Sequence, residues 1–162
     1  MSCTILITGS NGLLGQKLVH LLKEKHNVIA TSLGSCLISN QSDFIYQILD
    51  ITDEYNIGKI FNMYKPKYVI NTAAMTNVDA CEDYRNLCDD INVKAVNYLS
   101  KACEKYNSHL IHISTDFIFD GKNGPYDEDD EANPLSYYGL SKWKSEQVLQ
   151  KSNCKWAILR TI

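Results

Sequence analysis

Tyr138 and Lys142 stand four residues apart in Tyr138-Gly139-Leu140-Ser141-Lys142, a spacing that puts a phenol and an ammonium on one face of a helix. A tyrosine hydroxyl normally titrates near pH ~10, and an adjacent ammonium favours the phenolate and lowers that value. Such a pair can give a proton to a carbonyl oxygen as hydride arrives at its carbon, or take it back in reverse. Tyr137 has no equivalent partner, since Ser141 stands four residues on. The same two residues also fit a solvated helix face, so their chemistry depends on what lies beside them. Ser114-Thr115-Asp116 follows the apolar run His109–Ile113. A hydroxyl at the carboxyl end of a central strand points into the ligand crevice of an open α/β sheet and can hydrogen-bond a substrate carbonyl. These residue types are equally good at terminating a strand in a turn.

A second group of residues suits a phosphate-bearing ligand. Thr8-Gly9-Ser10-Asn11-Gly12-Leu13-Leu14-Gly15 follows the apolar run Ile5-Leu6-Ile7 and precedes a helix-patterned segment. Glycines permit a sharp turn and let a pyrophosphate approach the amides at a helix N-terminus, where the macrodipole favours negative charge. The spacing is Gly-x-x-Gly-x-x-Gly, which differs from the commoner Gly-x-Gly-x-x-Gly fingerprint of dinucleotide sites. Asn71-Thr72-Ala73-Ala74 ends another apolar run, and its small side chains allow a ligand to lie against the backbone. Asp50-Ile51 sits in the corresponding place after a third strand and suits an adenine contact. Thr31-Ser32-Leu33-Gly34-Ser35, after the second strand, offers neither an acid for a ribose 2′-hydroxyl nor a base for a 2′-phosphate.

Strand-like runs at Thr4–Thr8, Asn27–Thr31, Phe44–Ile48, Lys67–Asn71, His109–Ser114 and Lys155–Arg160 must position these groups. Helical patterns at Leu13–Lys25, Glu54–Tyr64, Leu87–Tyr106 and Ser136–Gln150 separate most of them. In the first helix Leu14, Leu18, Leu21 and Leu22 are expected to form the buried face. Alternating strands and helices predict an α/β fold, a doubly wound parallel sheet with right-handed crossovers and its ligand crevice at the carboxyl ends of the strands.

A length of 162 residues suits one domain. The net charge of −3, without basic clusters, argues against nucleic acid as a partner, and no apolar run approaches a membrane span. Six cysteines without Cys-x-x-Cys or zinc spacing point to reduced thiols in a cytoplasmic protein, several of them packing as small hydrophobes. Asp127-Glu128-Asp129-Asp130-Glu131 reads as a solvated connection, and no metal site is expected. The final Trp156–Ile162 segment reads as a core strand with nothing following it, so the chain is expected to be part of something longer.

In combination these motifs resemble the extended short-chain dehydrogenases. The Ala74-x-Thr76-x-Val78-Asp79 and Thr115-Asp116-x-x-Phe119-Asp120-Gly121 runs are most similar to the dTDP-4-dehydrorhamnose reductase branch, with order and spacing matching over nearly all of the chain. The resemblance implies a Rossmann-like NAD(P)-binding domain over residues 1–162, lacking the C-terminal substrate lobe, and hence an inactive fragment. It implies Tyr138 as proton donor, Lys142 as its ribose-binding partner and Thr115 as the hydroxyl on the substrate carbonyl. Gly9, Gly12, Leu13, Leu14 and Gly15 would hold the pyrophosphate, Ser32, Asp50 and Ile51 would lie toward the adenosine, and Thr72, Ala73 and Ala74 would line the cofactor between. Asn92 matches a helix asparagine that supports the site in relatives. The cofactor is NADP(H) or NAD(H), with a slight lean to NADP(H), and the substrate a nucleotide-linked 4-keto sugar, dTDP-linked, with a homodimer expected at full length. Serine replaces the glycine of Ser-Lys-x-x-Gly-Glu at Ser145. The alternatives are a nucleotide-sugar epimerase or dehydratase of the same superfamily, and a non-catalytic regulatory subunit like that of methionine adenosyltransferase.

Overall fold

The computed structural model describes residues 2–162. Six strands form one all-parallel sheet: β1 (Thr4–Thr8), β2 (Asn27–Ser32), β3 (Ile45–Ile48), β4 (Tyr68–Asn71), β5 (His109–Thr115) and β6 (Lys155–Thr161), in the order β3-β2-β1-β4-β5-β6. The order reverses between β1 and β4, so a crevice opens there at the carboxyl ends of the strands. This is the expected Rossmann-like architecture, and each strand lies within one residue of its predicted bounds.

β1 shows why both faces must be covered. Leu6 packs with Ile29, Val69 and Leu110 on one side, against α2 (Glu54–Tyr64), α5 (Ala95–Tyr106) and α6 (Tyr137–Gln150). Ile5 and Ile7 pack with Val28, Ala30 and Ile70 on the other, against α1 (Leu13–Leu22). Alternate side chains of a strand point to opposite faces, so an unbroken apolar run marks a strand buried on both. The helices start on side-chain caps where one is available: Asp53 accepts from Asn56 N for α2, and Ser136 accepts from Gly139 N for α6. Lys65 and Asn107 close α2 and α5 in the left-handed region. Among the described residues no helix is long and apolar enough to cross a membrane.

Two helical expectations need correction, and one helix was not anticipated. The buried face of α1 is Gly15 and Val19 with Leu18 and Leu22 beside them, whereas Leu21 is 68% and Leu14 42% exposed. Gly15 sets this rotation, because its missing side chain lets the helix lie directly on the backbone of Gly9 and Ser10. The segment Leu87–Tyr106 is not one helix. It comprises the end of α4 (Arg85–Asp89), a π-helical turn (Asp90–Lys94) and α5, because the wider turn brings Asn92 inward. A short helix, α3 (Val78–Asp83), precedes them, started by Asn77 accepting from Ala80 N. All six cysteines are free thiols, with Cys81, Cys88, Cys103 and Cys154 buried.

Candidate functional site

The glycine turn is built from three different demands. Gly9 has φ +67°, and a Cβ there would lie 2.6 Å from Ala73 N, so only glycine fits between β1 and the Thr72-Ala73 backbone. A Cβ on Gly15 would lie 2.4 Å from Gly9 O. Gly15 is therefore buried under the turn as a packing residue and does not line the cleft. Gly12 is exposed, in ordinary extended backbone, and its N donates to Gly9 O at 2.9 Å. It precedes α1 with no side-chain cap, which leaves the first-turn amides and the positive helix end open. Leu13 and Leu14 belong to that turn through their backbone, since the Leu13 side chain is 82% exposed.

A cleft of about 520 Å³ opens on the turn. Gly9, Gly12, Ser32, Asp50, Ile51, Thr72, Ala73 and Ala74 line it, all of them residues the sequence assigns to a cofactor. Leu33, Leu49, Leu87 and Ile91 add apolar walls, with Thr52 beside Asp50. Asp50 is held in a tight turn by Thr52, whose N and Oγ1 both donate to its Oδ1, at 2.8 and 2.7 Å. Asn11 latches the loop after β2 onto the glycine turn. Its Nδ2 donates to Ser35 O (2.9 Å), Leu33 O and Tyr46 Oη, and its Oδ1 accepts from Leu37 N (2.9 Å). The end of β2 and the start of that loop present Ser32 and Leu33 to the cleft, neither of them charged.

Tyr138, Thr115 and Lys142 come together where β5 ends against the first turns of α6. A Cβ on Gly139 would lie 2.3 Å from Phe117 O, so this glycine lets α6 approach the 3₁₀ turn Asp116–Ile118. Phe117 meets the Tyr138 ring edge-on at 6.1 Å. Thr115 is nearly buried; its Oγ1 accepts from Phe117 N and donates to Asp116 Oδ1, each at 3.2 Å. Burial raises the Tyr138 phenol above its ordinary value, and the Thr115 hydroxyl beside it draws the value part of the way back. Lys142 is only 2% exposed. Its Nζ donates to Ile113 O at 2.7 Å and lies 3.2 Å from His112 Nε2. Burial brings this ammonium down to about 8, against an opposing pull from Glu146.

The expectation that Lys142 lowers the Tyr138 phenol is therefore corrected. The ammonium is engaged by β5, and burial dominates both groups. Tyr137 is occupied elsewhere, donating to Asp89 Oδ2 at 2.9 Å.

Beneath these residues lies a polar layer that the sequence did not reveal, apart from Asn92. The Asn71 amide bridges Thr8 Oγ1 (2.5 Å) and His112 Nδ1 (3.1 Å), and His112 Nε2 also lies 3.0 Å from Ser145 Oγ. His112 titrates well below the usual histidine range because it is buried beside Lys142. Glu146, fully buried, accepts from Ser114 Oγ and pairs with Arg160 Nη2 at 2.8 Å. Asn92 is buried; its Oδ1 accepts from Met75 N (2.8 Å), and its Nδ2 donates to Met75 O (3.0 Å) and Ser141 Oγ (2.9 Å). It thus joins the segment after β4 to α6.

The sequence matches the RmlD substrate binding domain family over residues 3–162. It is 38% identical over 160 residues to a dTDP-4-dehydrorhamnose reductase of Aggregatibacter actinomycetemcomitans, covering 97% of this chain and 50% of that protein. It is 34% identical over 156 residues to the methionine adenosyltransferase 2 subunit beta of Danio rerio, covering 96% of this chain and 46% of that one. Among solved structures, the dTDP-4-dehydrorhamnose reductase of Bacillus anthracis in complex with NADP superposes with a TM-score of 0.84 at 30% identity, over 99% of this chain and 53% of that one. The chain spans about half the length of the curated relatives it matches. Fold, glycine turn and the match along almost the whole sequence agree: this chain belongs to the RmlD substrate binding domain family.

Proposed function

We propose that this chain is the NAD(P)-binding part of an oxidoreductase that reduces the 4-keto group of a nucleotide-linked sugar. The observation that carries the reading is the glycine-turn cleft at the carboxyl ends of β1, β2 and β4; Thr115 at the end of neighbouring β5 and Tyr138 beside it lie outside the cleft's lining, on the same edge of the sheet. The reductase names among its relatives support the substrate class, and the NADP complex of one of them supports the cofactor.

The cleft fits a dinucleotide: exposed Gly12 and the uncapped start of α1 suit a pyrophosphate, and Ala73 and Ala74 leave room along the floor. Gly9, Gly12 and the Leu13–Leu14 backbone would hold the pyrophosphate, with Ser32, Asp50 and Ile51 toward the adenosine and Thr72 to Ala74 along the middle. The bound cofactor supplies the hydride. Tyr138 gives its phenolic proton to the carbonyl oxygen, a proton that a phenol titrating at or above its ordinary range carries at neutral pH. Thr115 orients that oxygen and stabilises the phenolate left behind. Lys142 keeps the ribose-binding role that the resemblance implies, which requires its ammonium to turn from Ile113 O and His112 toward the cofactor.

Calorimetry with NADPH tests the cleft. Wild type binds, whereas Gly12→Val, whose Cβ would lie 3.2 Å from Gly9 O on the exposed rim, loses at least ~100-fold in affinity. Unchanged affinity would remove the assignment. In a protein of the relatives' full length carrying this chain, Tyr138→Phe lowers turnover of a dTDP-4-keto sugar by roughly 10²–10⁴-fold with NADPH binding nearly intact. Turnover equal to wild type would remove Tyr138 as the proton donor, whereas a wild-type protein that binds NADPH and turns over no keto sugar would favour a regulatory role like that of the methionine adenosyltransferase subunit.

A further inference from the structure

Ser145 replaces the glycine of the Ser-Lys-x-x-Gly-Glu pattern, and its side chain is fully buried. Its hydroxyl donates to Lys142 O at 2.6 Å. A helix serine is satisfied by such a bond to the preceding turn. Ser145 has a second partner, His112 Nε2 of β5, at 3.0 Å. A hydroxyl has one proton and a carbonyl oxygen can only accept, so that proton is spent on Lys142 O and Ser145 Oγ accepts from the ring. Nε2 therefore carries the His112 proton. The far side of the ring agrees: Asn71 Nδ2 donates to Nδ1 at 3.1 Å, with the Asn71 oxygen turned to Thr8 Oγ1. Burial beside Lys142 keeps the ring neutral at pH 7, so Nδ1 is bare.

Lys142 Nζ lies 3.2 Å from the same Nε2. An ammonium has only donors, so a ring nitrogen that already carries a proton gives it nothing to donate to. We propose that Ser145 is a positioning residue for Lys142: by accepting from His112 Nε2 it fixes a ring donor beside the ammonium, which leaves Ile113 O as the acceptor in that corner and the lysine held loosely enough to turn toward a bound cofactor. The turn toward the cofactor rests on the function proposed above; the tautomer and its effect on Lys142 do not. Without the hydroxyl, the ring can move its proton to Nδ1. The two ends of the Asn71 amide have nearly the same shape, and Thr8 Oγ1 can accept as well as donate. Bare Nε2 then accepts from Nζ, and the lysine is held at two points instead of one. The other titratable and charged groups facing Lys142 are Tyr138 and Glu146 on its own helix, Cys88 on α4, and Arg160 of β6, which pairs with Glu146. All of them stay in place when Ser145 is changed.

The test uses the 162-residue chain and two nuclear magnetic resonance readouts. Nitrogen shifts of the His112 ring report the tautomer, and the Lys142 Cε shift reports its protonation from pH 6 to 11. Wild type is expected to show the Nε2–H form. Ser145→Ala shifts the ring to Nδ1–H and raises the Lys142 midpoint by about one pH unit or more, because a hydrogen bond to an ion favours the charged form. Its NADPH affinity falls about tenfold, since the turning lysine then breaks a second bond. Ser145→Thr keeps the hydroxyl, the wild-type tautomer and a midpoint within about 0.3 pH unit of wild type. A purely packing role for Ser145 would move stability and neither resonance. An Nδ1–H ring in wild type, or a ring and midpoint unmoved in Ser145→Ala, would overturn the proposal. If Ser145→Ala does not fold, Ser145→Cys, similar in volume and a weak acceptor, takes its place with the same direction of shift. Wild type that binds no NADPH refutes the function while the ring and lysine measurements stand. Binding by wild type, with both resonances shifted in Ser145→Ala and affinity unchanged, refutes the loose hold alone.

Discussion

Lys142 should destabilise the fold that contains it. Its ammonium is almost entirely enclosed and falls from 10.5 to about 8, which corresponds to roughly 3 kcal/mol of preference for the uncharged form. Below pH 8 both folded and unfolded chains hold the proton, and the folded state bears the full penalty. Between about 8 and 10.5 the unfolded chain still holds a proton that the folded chain has released, so the stability of wild type rises with pH in that window. Lys142→Met keeps most of the side-chain volume and removes the charge. It leaves no orphan at His112, whose Nε2 still has Ser145 Oγ at 3.0 Å. We expect Lys142→Met to be more stable than wild type by up to roughly 3 kcal/mol at pH 7, with the gap mostly closed by pH 10. Urea unfolding followed by the fluorescence of Trp143 and Trp156 at the two pH values measures both quantities. The other lysines, tyrosines and thiols titrate in both proteins and cancel in the difference. A variant no more stable than wild type at pH 7, or a gap that does not shrink by pH 10, would refute the reasoning.

Other consequences can be measured in the same way. Asn92→Ala strips Met75 N and O and Ser141 Oγ of their shared partner and should lower stability by roughly 2 kcal/mol in urea, while Asn92→Asp, which still accepts from Met75 N, should lose less. Glu146→Ala leaves Arg160 and Ser114 without their buried anion and should cost roughly 3 kcal/mol; a loss below about 1 kcal/mol would show the pair to be idle. NADH and NADPH should differ by less than about tenfold in affinity, because Ser32 and Leu33, which line the cleft at the end of β2, carry no charge, and a preference much above tenfold for NADH by calorimetry would mean that an acid reaches the ribose.

Short apolar runs bounded by turn residues made the central strands β1, β2, β4 and β5 legible, because a parallel strand buried on both faces needs an unbroken run; β3 and β6 were placed too, but both are edge strands, and the final segment expected as a core strand leaves Trp156 and Leu159 exposed. The cleft was legible for a similar reason: its lining sits at strand ends, where the fold rule places ligands whatever the sequence between. What escaped was non-local. The true face of α1 depends on Gly15 resting against Gly9 O, a contact that leucine periodicity does not encode. Leu87 and Ile91 join the cleft wall only because of how α4 and the π-helical turn are placed against β4. His112 reads as one apolar-strand residue among others until Asn71 and Lys142 are seen on either side of it. Glu146 and Arg160 lie 14 residues apart, and nothing in their local sequence marks them as partners.

Asn11 gives the chain a record of its own unfolding. Asparagine followed by glycine is the dipeptide most open to deamidation, because the next backbone nitrogen can attack the side-chain carbonyl with little steric hindrance. In the folded chain that attack is blocked twice: Gly12 N is committed to Gly9 O, and the Asn11 amide is tied to Leu33 O, Ser35 O, Tyr46 and Leu37 N. Each excursion to the unfolded state removes both restraints. The aspartate that results cannot donate to Leu33 O or Ser35 O, so the folded chain that re-forms has lost its loop latch and carries a new negative charge beside the glycine turn. Time spent unfolded is thereby converted into covalent damage at the residue that latches the glycine turn to the loop after β2, and the working lifetime of the site follows the stability of the whole domain.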